Sequence, residues 1–397
     1  MAFGGGGSST PETLAHTHNA ALSNDGGDLS ELLTDMNGVP LYSLITDNSA
    51  AVAANTVNIS TNAADIAANT AAIAALPPSG LNAAEVNTEI YTGRWATRTS
   101  AHDGAWYTVA WSPAIPMFVA VTGGVAGCMS SPDGITWTSR VTPNHAWNDV
   151  VWSPDLALFC SCAKNSNGLM TSTNGTTWID RVDPNTNQYE GIAWSPSLTL
   201  FAVVSGTGTL DRVCTSPDGI TWTTRTTPND NYWQKIAWSP DLALFAAVSS
   251  TGTGNRVMTS PDGINWTSRT TPEDNTWKDI VWSPELTLFA AVAADGTNRV
   301  MTSPDGITWT SRSAAAANSW NSITWSPQLG IFCAVSLDGT ANRIMISYDG
   351  ITWTTQTPSI DNAWNGVIWS PELYKFVTVA TSGTNTRVMN TEAGTCC

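Results

Sequence analysis

Positive charge is scarce in this chain. Only 16 of its 397 residues are Lys or Arg against 32 Asp and Glu, a formal net charge of −16. No basic residue precedes Arg94, while residues 1–90 carry nine acids. A basic footprint for nucleic acid is therefore absent. No apolar run of about 18 residues could span a bilayer, which argues against membrane insertion, and the N-terminus lacks the charged start and apolar stretch of a signal peptide. The seven cysteines form no Cys-x-x-Cys pair. Cys160, Cys162, Cys214 and Cys333 take places filled elsewhere by Ala, Val or Met. They read as small core residues made in a reducing cytoplasm. Cys396-Cys397 at the end of the chain has no role that the sequence assigns.

Tryptophan, by contrast, is abundant and periodic. Trp-Ser-Pro begins at Trp111, Trp152, Trp194, Trp238, Trp282, Trp325 and Trp369, with spacings of 41, 42, 44, 44, 43 and 44 residues. Five residues before these stand Trp106, Trp147, Trp233, Trp277, Trp320 and Trp364, with Tyr189 in the remaining slot. Trp95, Trp137, Trp178, Trp222, Trp266, Trp309 and Trp353 complete the 20. Every Trp is thus a repeat position, and core packing explains them better than ligand stacking.

Each unit parses into four strands. Trp233 to Trp238 is strand A, and Ser-Pro turns the chain because Pro fixes φ and cannot donate to a ladder. Leu242 to Val248 is strand B, and Arg256 to Ser260 is strand C. Asp262-Gly263 turns into strand D, Ile264 to Arg269. Units of this period with four short strands define a β-propeller. The seventh unit stops after strand C, while an orphan strand D occupies residues 90–98 at the other end. We expect these to pair and close a seven-bladed ring over 90–391, leaving 392–397 as a tail. The arginines of the ring nearly all obey the repeat, so they read as structural.

The Ser-Pro-Asp-Gly-Ile turns that start at Ser131, Ser216, Ser260 and Ser303 resemble the Asp-box of sialidase-like propellers, a structural motif. Here Asp and Gly are adjacent, whereas the Asp-box has a residue between them. The rest of a sialidase site is not recognisable.

Residues 45–76 follow another period. Ile45, Val52, Ile59, Ile66 and Ile73 recur every seven residues, and Asn48, Asn55, Asn62, Asn69 and Leu76 follow each by three. These are a and d positions of a heptad. The helix would run about 48 Å before Pro77-Pro78 ends it. The pattern resembles the trimeric coiled coils of bacterial adhesins and phage tail fibres. That resemblance implies a parallel homotrimer with an anion on its axis, held by Asn55, Asn62 and Asn69; an Ala-rich helix packed on the ring is the alternative. Residues 1–44 are too polar to build a core and read as a docking segment. His16 and His18 would face one side of an extended chain, where six such imidazoles of a trimer could hold a metal ion or simply be solvated. Residues 77–89 link stalk to ring.

Because strands alternate direction, the D–A and B–C loops share one face of the ring, and these loops vary. Candidate ligand-binding residues there are Asn144, His145, Asn187, Tyr189, Asp230, Tyr232 and Asp274. Glu273 and Asp361 join the acids that could converge, but no catalytic pair stands out, so the chain is expected not to be an enzyme.

The whole layout resembles a bacteriophage tail fibre or receptor-binding protein. The resemblance implies a virion protein, made in the host cytoplasm. Residues 1–44 would dock on a tail or baseplate protein, and three propeller heads would bind a host surface receptor, a glycan. A decoration protein without a receptor and a polysaccharide-degrading fibre are the alternatives.

Overall fold

The computed structural model describes residues 95–123, 127–164 and 168–392. The chain divides into two units, Met1–Val86 and Asn87–Cys397. The expected coiled coil over 45–76, the Asn55, Asn62 and Asn69 ring, and His16 and His18 fall outside the described residues, as does Cys396-Cys397.

Every regular element among the described residues is a strand, and together they make seven four-stranded antiparallel sheets. The first blade is β2 (Trp106–Ser112), β3 (Met117–Thr122), β4 (Cys128–Ser131) and β5 (Thr138–Arg140). Five further blades repeat that order. The last is built from both ends of the ring. β26 (Trp364–Ser370), β27 (Lys375–Ala380) and β28 (Val388–Thr391) are completed by β1 (Trp95–Arg98), with Trp95 opposite Thr391 and Arg98 opposite Val388. The expected closure by the N-terminal strand is what forms.

Both faces of each blade are buried, which is why strand B reads as a continuous apolar run rather than an alternating one. In the fourth blade Phe245 and Ala247 pack with Ala193, Ala202 and Val204 of the blade before, while Ala246 and Val248 pack against Trp277, Ile280 and Trp282 of the blade after. An aromatic rung crosses each blade. Trp238 meets Phe245 at 4.6 Å between ring centroids, and Phe245 meets Trp266 at 6.2 Å. In the closing blade Phe376 lies 4.7 Å from Trp369 and 6.3 Å from Trp95, so Trp95 fills the strand D slot across the seam. Cys128, Cys160, Cys162, Cys214 and Cys333 are buried, unpaired core residues, and burial pushes the Cys128 thiol up to about 12.

The arginines are consumed structurally. Arg269 Nε donates to Thr259 Oγ1 at 2.8 Å within its blade, and Arg140, Arg181, Arg225 and Arg312 repeat the bond. Arg212 Nη1 donates to the Gly206 and Asn231 carbonyls, tying two loops together, and Arg387 does the same across the seam to Gly104.

The turns between strands C and D are self-capped. Ser260 Oγ accepts from Gly263 N at 2.8 Å, and Asp262 Oδ1 accepts from the N–H groups of Ile264 and Asn265 at 2.8 Å each. In the second blade Asn174 does the same work without charge, taking Thr176 N and Thr177 N at 2.9 Å. Burial opposes the charge on Asp262, but the backbone N–H groups outweigh it and hold the carboxyl at about 2. Asp133, Asp218, Asp305 and Asp349 are lowered for the same reasons.

Blades are also joined by indoles. The Trp of Trp-Ser-Pro donates its Nε1–H to the residue after Ser-Pro in the preceding blade. Trp194 reaches Asp155 at 2.9 Å, Trp282 reaches Asp241 at 2.8 Å, and Trp325 reaches Glu285 at 2.6 Å. Trp369 reaches Gln328, and Trp111 closes the circle on Glu372, both at 2.6 Å. Two links are missing. The preceding turns offer Ala114 and Ser197 instead, and the buried indole nitrogens of Trp152 and Trp238 have no hydrogen-bond partner among the described protein residues.

An unsatisfied buried donor costs about 1–3 kcal/mol. Replacing Ala114 or Ser197 by Gln, the residue that serves at position 328, should therefore raise stability by about 1 kcal/mol each in urea unfolding. An unchanged midpoint in both variants would refute the indole link as a stabilising contact. The capped aspartates set a second expectation. Their folded-state pKa values lie below that of an unfolded Asp, so their contribution is whole above about pH 4 and is lost as pH falls from about 4 toward 2. Asp262→Asn keeps an acceptor for the caps and removes one titrating group. Its thermal midpoint should fall less steeply between pH 4 and 2 than that of the parent chain.

Candidate functional site

Strand A starts with the buried aromatic and then bulges in every blade. The register slips between Trp106 and Thr108, Trp147 and Asp149, Tyr189 and Gly191, and Trp233 and Lys235. It slips equally between Trp277 and Asp279, Trp320 and Ser322, and Trp364 and Gly366. A bulge leaves one residue unpaired and re-aims its side chain. The seven skipped residues are Tyr107, Asn148, Glu190, Gln234, Lys278, Asn321 and Asn365, and together with Lys164 they line one cavity of about 220 Å³ at the hub. Chain direction puts this cavity at the end of the ring that carries the D–A and B–C loops.

One side of the hub is a closed network. Glu190, whose side chain is 2 % exposed, accepts from Lys164 Nζ at 3.0 Å, from Asn148 Nδ2 at 3.3 Å and from the Tyr232 hydroxyl. Lys164 also lies over the Tyr232 ring, 5.8 Å from its centroid. Burial opposes the charge on Lys164, but Glu190 outweighs it and raises the lysine above its ordinary value. Burial and the hydrogen bond to Glu190 push the Tyr232 phenol up to about 12.

Beneath lies a second tier, made by the residues after the bulges. Lys235 Nζ pairs with Asp149 Oδ1 at 2.6 Å. Asp149 also accepts from Val150 N and Ile192 N, at 3.0 and 2.9 Å. Asp279 accepts from Ile280 N, Ile323 N and the Ser322 hydroxyl. Burial works against the Lys235 charge, yet Asp149 and Asp279 hold its pKa above the ordinary value. Burial pushes Asp279 upward against the pull of Lys235. The tier is small at Gly191 and Gly366 because the neighbouring strand passes close. A Cβ there would sit 2.9 Å from the Gln234 carbonyl oxygen and 2.8 Å from that of Tyr107.

Lys278 differs from the other two hub lysines. Its ammonium lies 3.5 Å from Gln234 Oε1, and among the described residues no carboxylate comes within ion-pair distance. Burial and then nearby Lys164 lower its pKa from the ordinary value.

The residues expected to bind ligand are dispersed. Tyr232 joins the hub through Glu190. Tyr189 is 1 % exposed and forms core, with its hydroxyl donating to Asn185 Oδ1 at 3.0 Å. Asn187 is buried and donates to the Asp211 carbonyl at 3.0 Å; Asn231, Asn275, Asn318 and Asn362 repeat that bond in their own blades. Asp230 accepts from Leu210 N and lies 3.5 Å from Arg212, while Asp274 accepts from Gly254 N and lies 3.6 Å from Arg256. Asp361 and Asp103 repeat this arrangement. Glu273 stays with Asn298 and Asn275. These acids are thus each tied to a neighbouring B–C loop and do not converge. Asn144 is exposed. His145 borders a second cavity of about 510 Å³ with Asp180, Arg181, Asp183 and Asn185, its Nε2 3.6 Å from Asp180 Oδ2. Burial pushes the Asp183 carboxyl there up to about 6, against the pull of His145. Among the described residues no group of three or more His, Cys, Asp or Glu is placed to hold a metal ion.

The hub itself escaped the sequence reading, although a signal was there. The chain has four lysines, and three of them, Lys164, Lys235 and Lys278, meet in this one place.

No protein-family profile and no curated protein matches the chain. Solved structures do share its fold. Virginiamycin B lyase from Staphylococcus aureus matches with a TM-score of 0.64 and 13% identity over 75% of this chain and 97% of that one. A streptogramin B lyase matches with a TM-score of 0.64 and 11% identity over 76% and 97%. YCF48 from Cyanidioschyzon merolae matches with a TM-score of 0.56 and 14% identity over 75% and 99%, and YCF48 is also known bound to a peptide. These likenesses establish a propeller and correct one expectation. The chain was expected not to be an enzyme, but lyases are built on this same ring, so the fold gives no ground for excluding catalysis. One similar structure is a catalytically inactive histidine variant of the Staphylococcus aureus lyase with quinupristin. The described histidines of this chain, His102 and His145, do not line the hub.

The two tiers should respond differently to mutation. Lys235→Met leaves two buried carboxylates without their cation and should cost about 3–5 kcal/mol. Lys278→Met removes one long contact and should cost less than about 1 kcal/mol. Equal unfolding midpoints for the two variants would refute the distinction.

Proposed function

We propose that this protein attaches a virion to its host, as the head-bearing chain of a tail fibre, and that the loop face around the hub is the recognition face. The observation that carries the reading is the bulge ring. Where the strand A and Trp-Ser-Pro positions hold Trp almost without exception, the position between them holds Tyr, Asn, Glu, Gln, Lys, Asn and Asn. Side chains that differ from blade to blade and converge on one concave polar place suit recognition. The heptads of residues 45–76 support a homotrimer, and residues 1–44 would dock on a tail or baseplate protein. Three heads on one stalk make weak single-site affinity sufficient through avidity. The hub also supports a second reading, a fibre that cleaves the polysaccharide it binds. Its Tyr232–Glu190–Lys164 cluster joins an acid, a phenol and an amine, groups that transfer protons in catalysis.

The purified full chain should sediment as three times 42.0 kDa. It should bind saturably to bacterial surfaces in a panel of strains, and soluble surface polysaccharide should compete. A monomer that adsorbs to no strain would overturn the reading. Release of oligosaccharide from the competing polysaccharide would establish the cleaving variant of it.

A further inference from the structure

The hub has two unlike arcs. Across the second to fourth blades, Asn148, Glu190, Lys164 and Tyr232 satisfy one another. Across the fourth to seventh, the side chains are Gln234, Lys278, Asn321 and Asn365, a run of amides around one lysine without a carboxylate partner. The amides are anchored from the rear. Asn321 Nδ2 donates to the Asn365 carbonyl at 2.8 Å, and Asn365 Nδ2 to the Tyr107 carbonyl at 2.7 Å. Each anchored amide keeps its Oδ1 and second N–H for a ligand, with its rotamer already set by the rear bond. The charges facing Lys278 are Lys164 and Glu190 across the hub and Asp295 in the following loop. Glu190 is already committed to Lys164, and Asp295 to Thr276, whose N–H and hydroxyl it accepts at 2.6 Å.

We propose that this open arc binds one acidic sugar residue, with its carboxylate on Lys278 and its hydroxyls on the amides of Gln234, Asn321 and Asn365. The inference rests on the attachment reading for the source of such a sugar, the host surface, and deepens it. Three features select this chemistry. A cavity of about 220 Å³ falls below the roughly 300–1,000 Å³ of pockets for drug-sized molecules and suits a single ring. Amides both donate and accept, as hydroxyls do. A half-buried ammonium is an incomplete ion pair, which a ligand carboxylate would complete. Burial and then Lys164 lower the Lys278 pKa, and a ligand carboxylate beside the ammonium would oppose that shift.

The test is calorimetric titration of the full chain with glucuronate, glucose, acetate and inorganic phosphate, alongside the adsorption assay. Glucuronate should bind at least about tenfold more tightly than the other three, a difference of about 1.4 kcal/mol. Lys278→Met should abolish that preference at unchanged secondary structure by circular dichroism, and Lys278→Arg should retain part of it. Glucose binding as well as glucuronate, acetate or phosphate binding as well as glucuronate, no glucuronate binding at all, or a preference unaltered in Lys278→Met would each overturn the proposal. If cells are bound while glucuronate is not, the acidic-sugar assignment falls and the attachment reading stands. If no cell surface is bound, the attachment reading falls, and glucuronate binding by itself would still uphold the site.

Discussion

Seven inner strands must converge on one axis, and the crowding there shapes everything outside it. A flat ladder would carry each strand A straight into its neighbours. The bulge after the first aromatic relieves this by taking one residue out of the pairing, and it recurs at the same place in all seven blades. Glycine at 191 and 366 marks where even the next side chain would strike a neighbouring backbone. The displaced side chains have nowhere to go but the axis. A hub cavity is thus a geometric consequence of closing the ring, and only its chemistry is left for the sequence to choose.

The outer parts of the blade serve the same closure. The large Trp at the start of strand A is fully buried against the small Ala and Val of the preceding blade, so bulk on one blade is matched by its absence on the other. The indole of Trp-Ser-Pro then donates to the preceding turn in five of the seven interfaces, including the one between Glu372 and Trp111 that spans the chain ends. Arg387 and Asp103 cross that seam as their counterparts cross ordinary interfaces. The joint between the ends is therefore chemically indistinguishable from the joints within the chain, which is how the ring avoids an open edge.

The side chains left over from these demands are those the bulges turn into the hub. Loop acids such as Asp230 and Asp274 looked available in the sequence but each caps a backbone N–H in the B–C loop of the blade before it, beside the arginine of that blade's strand C. Asn187 looked like a recognition residue and is a strut. Lys278, which sequence reasoning passed over as part of a regular strand, has a 3.5 Å contact to Gln234 Oε1 and, among the described residues, no carboxylate within ion-pair distance. Similar rings are found in a lyase and in a peptide-bound protein, so the ring by itself fixes no function.

The amino-acid sequence alone determined the blade count, the order of strands and the closure by Trp95–Arg98. These follow from local periodicity and from a missing strand at one end matched by a spare one at the other. It also determined that the tryptophans and arginines are structural, because they obey the repeat. Which polar residues face one another was decided only by the tertiary structure. Glu190 and Lys278 share a repeat position, but the repeat does not say that it faces the axis, because a bulge reverses the in–out alternation on which side-chain direction is read, and Lys164 and Tyr232 join the hub from outside that position. Convergence on an axis is a property of the closed ring, so no stretch of the chain shorter than the whole ring contains it.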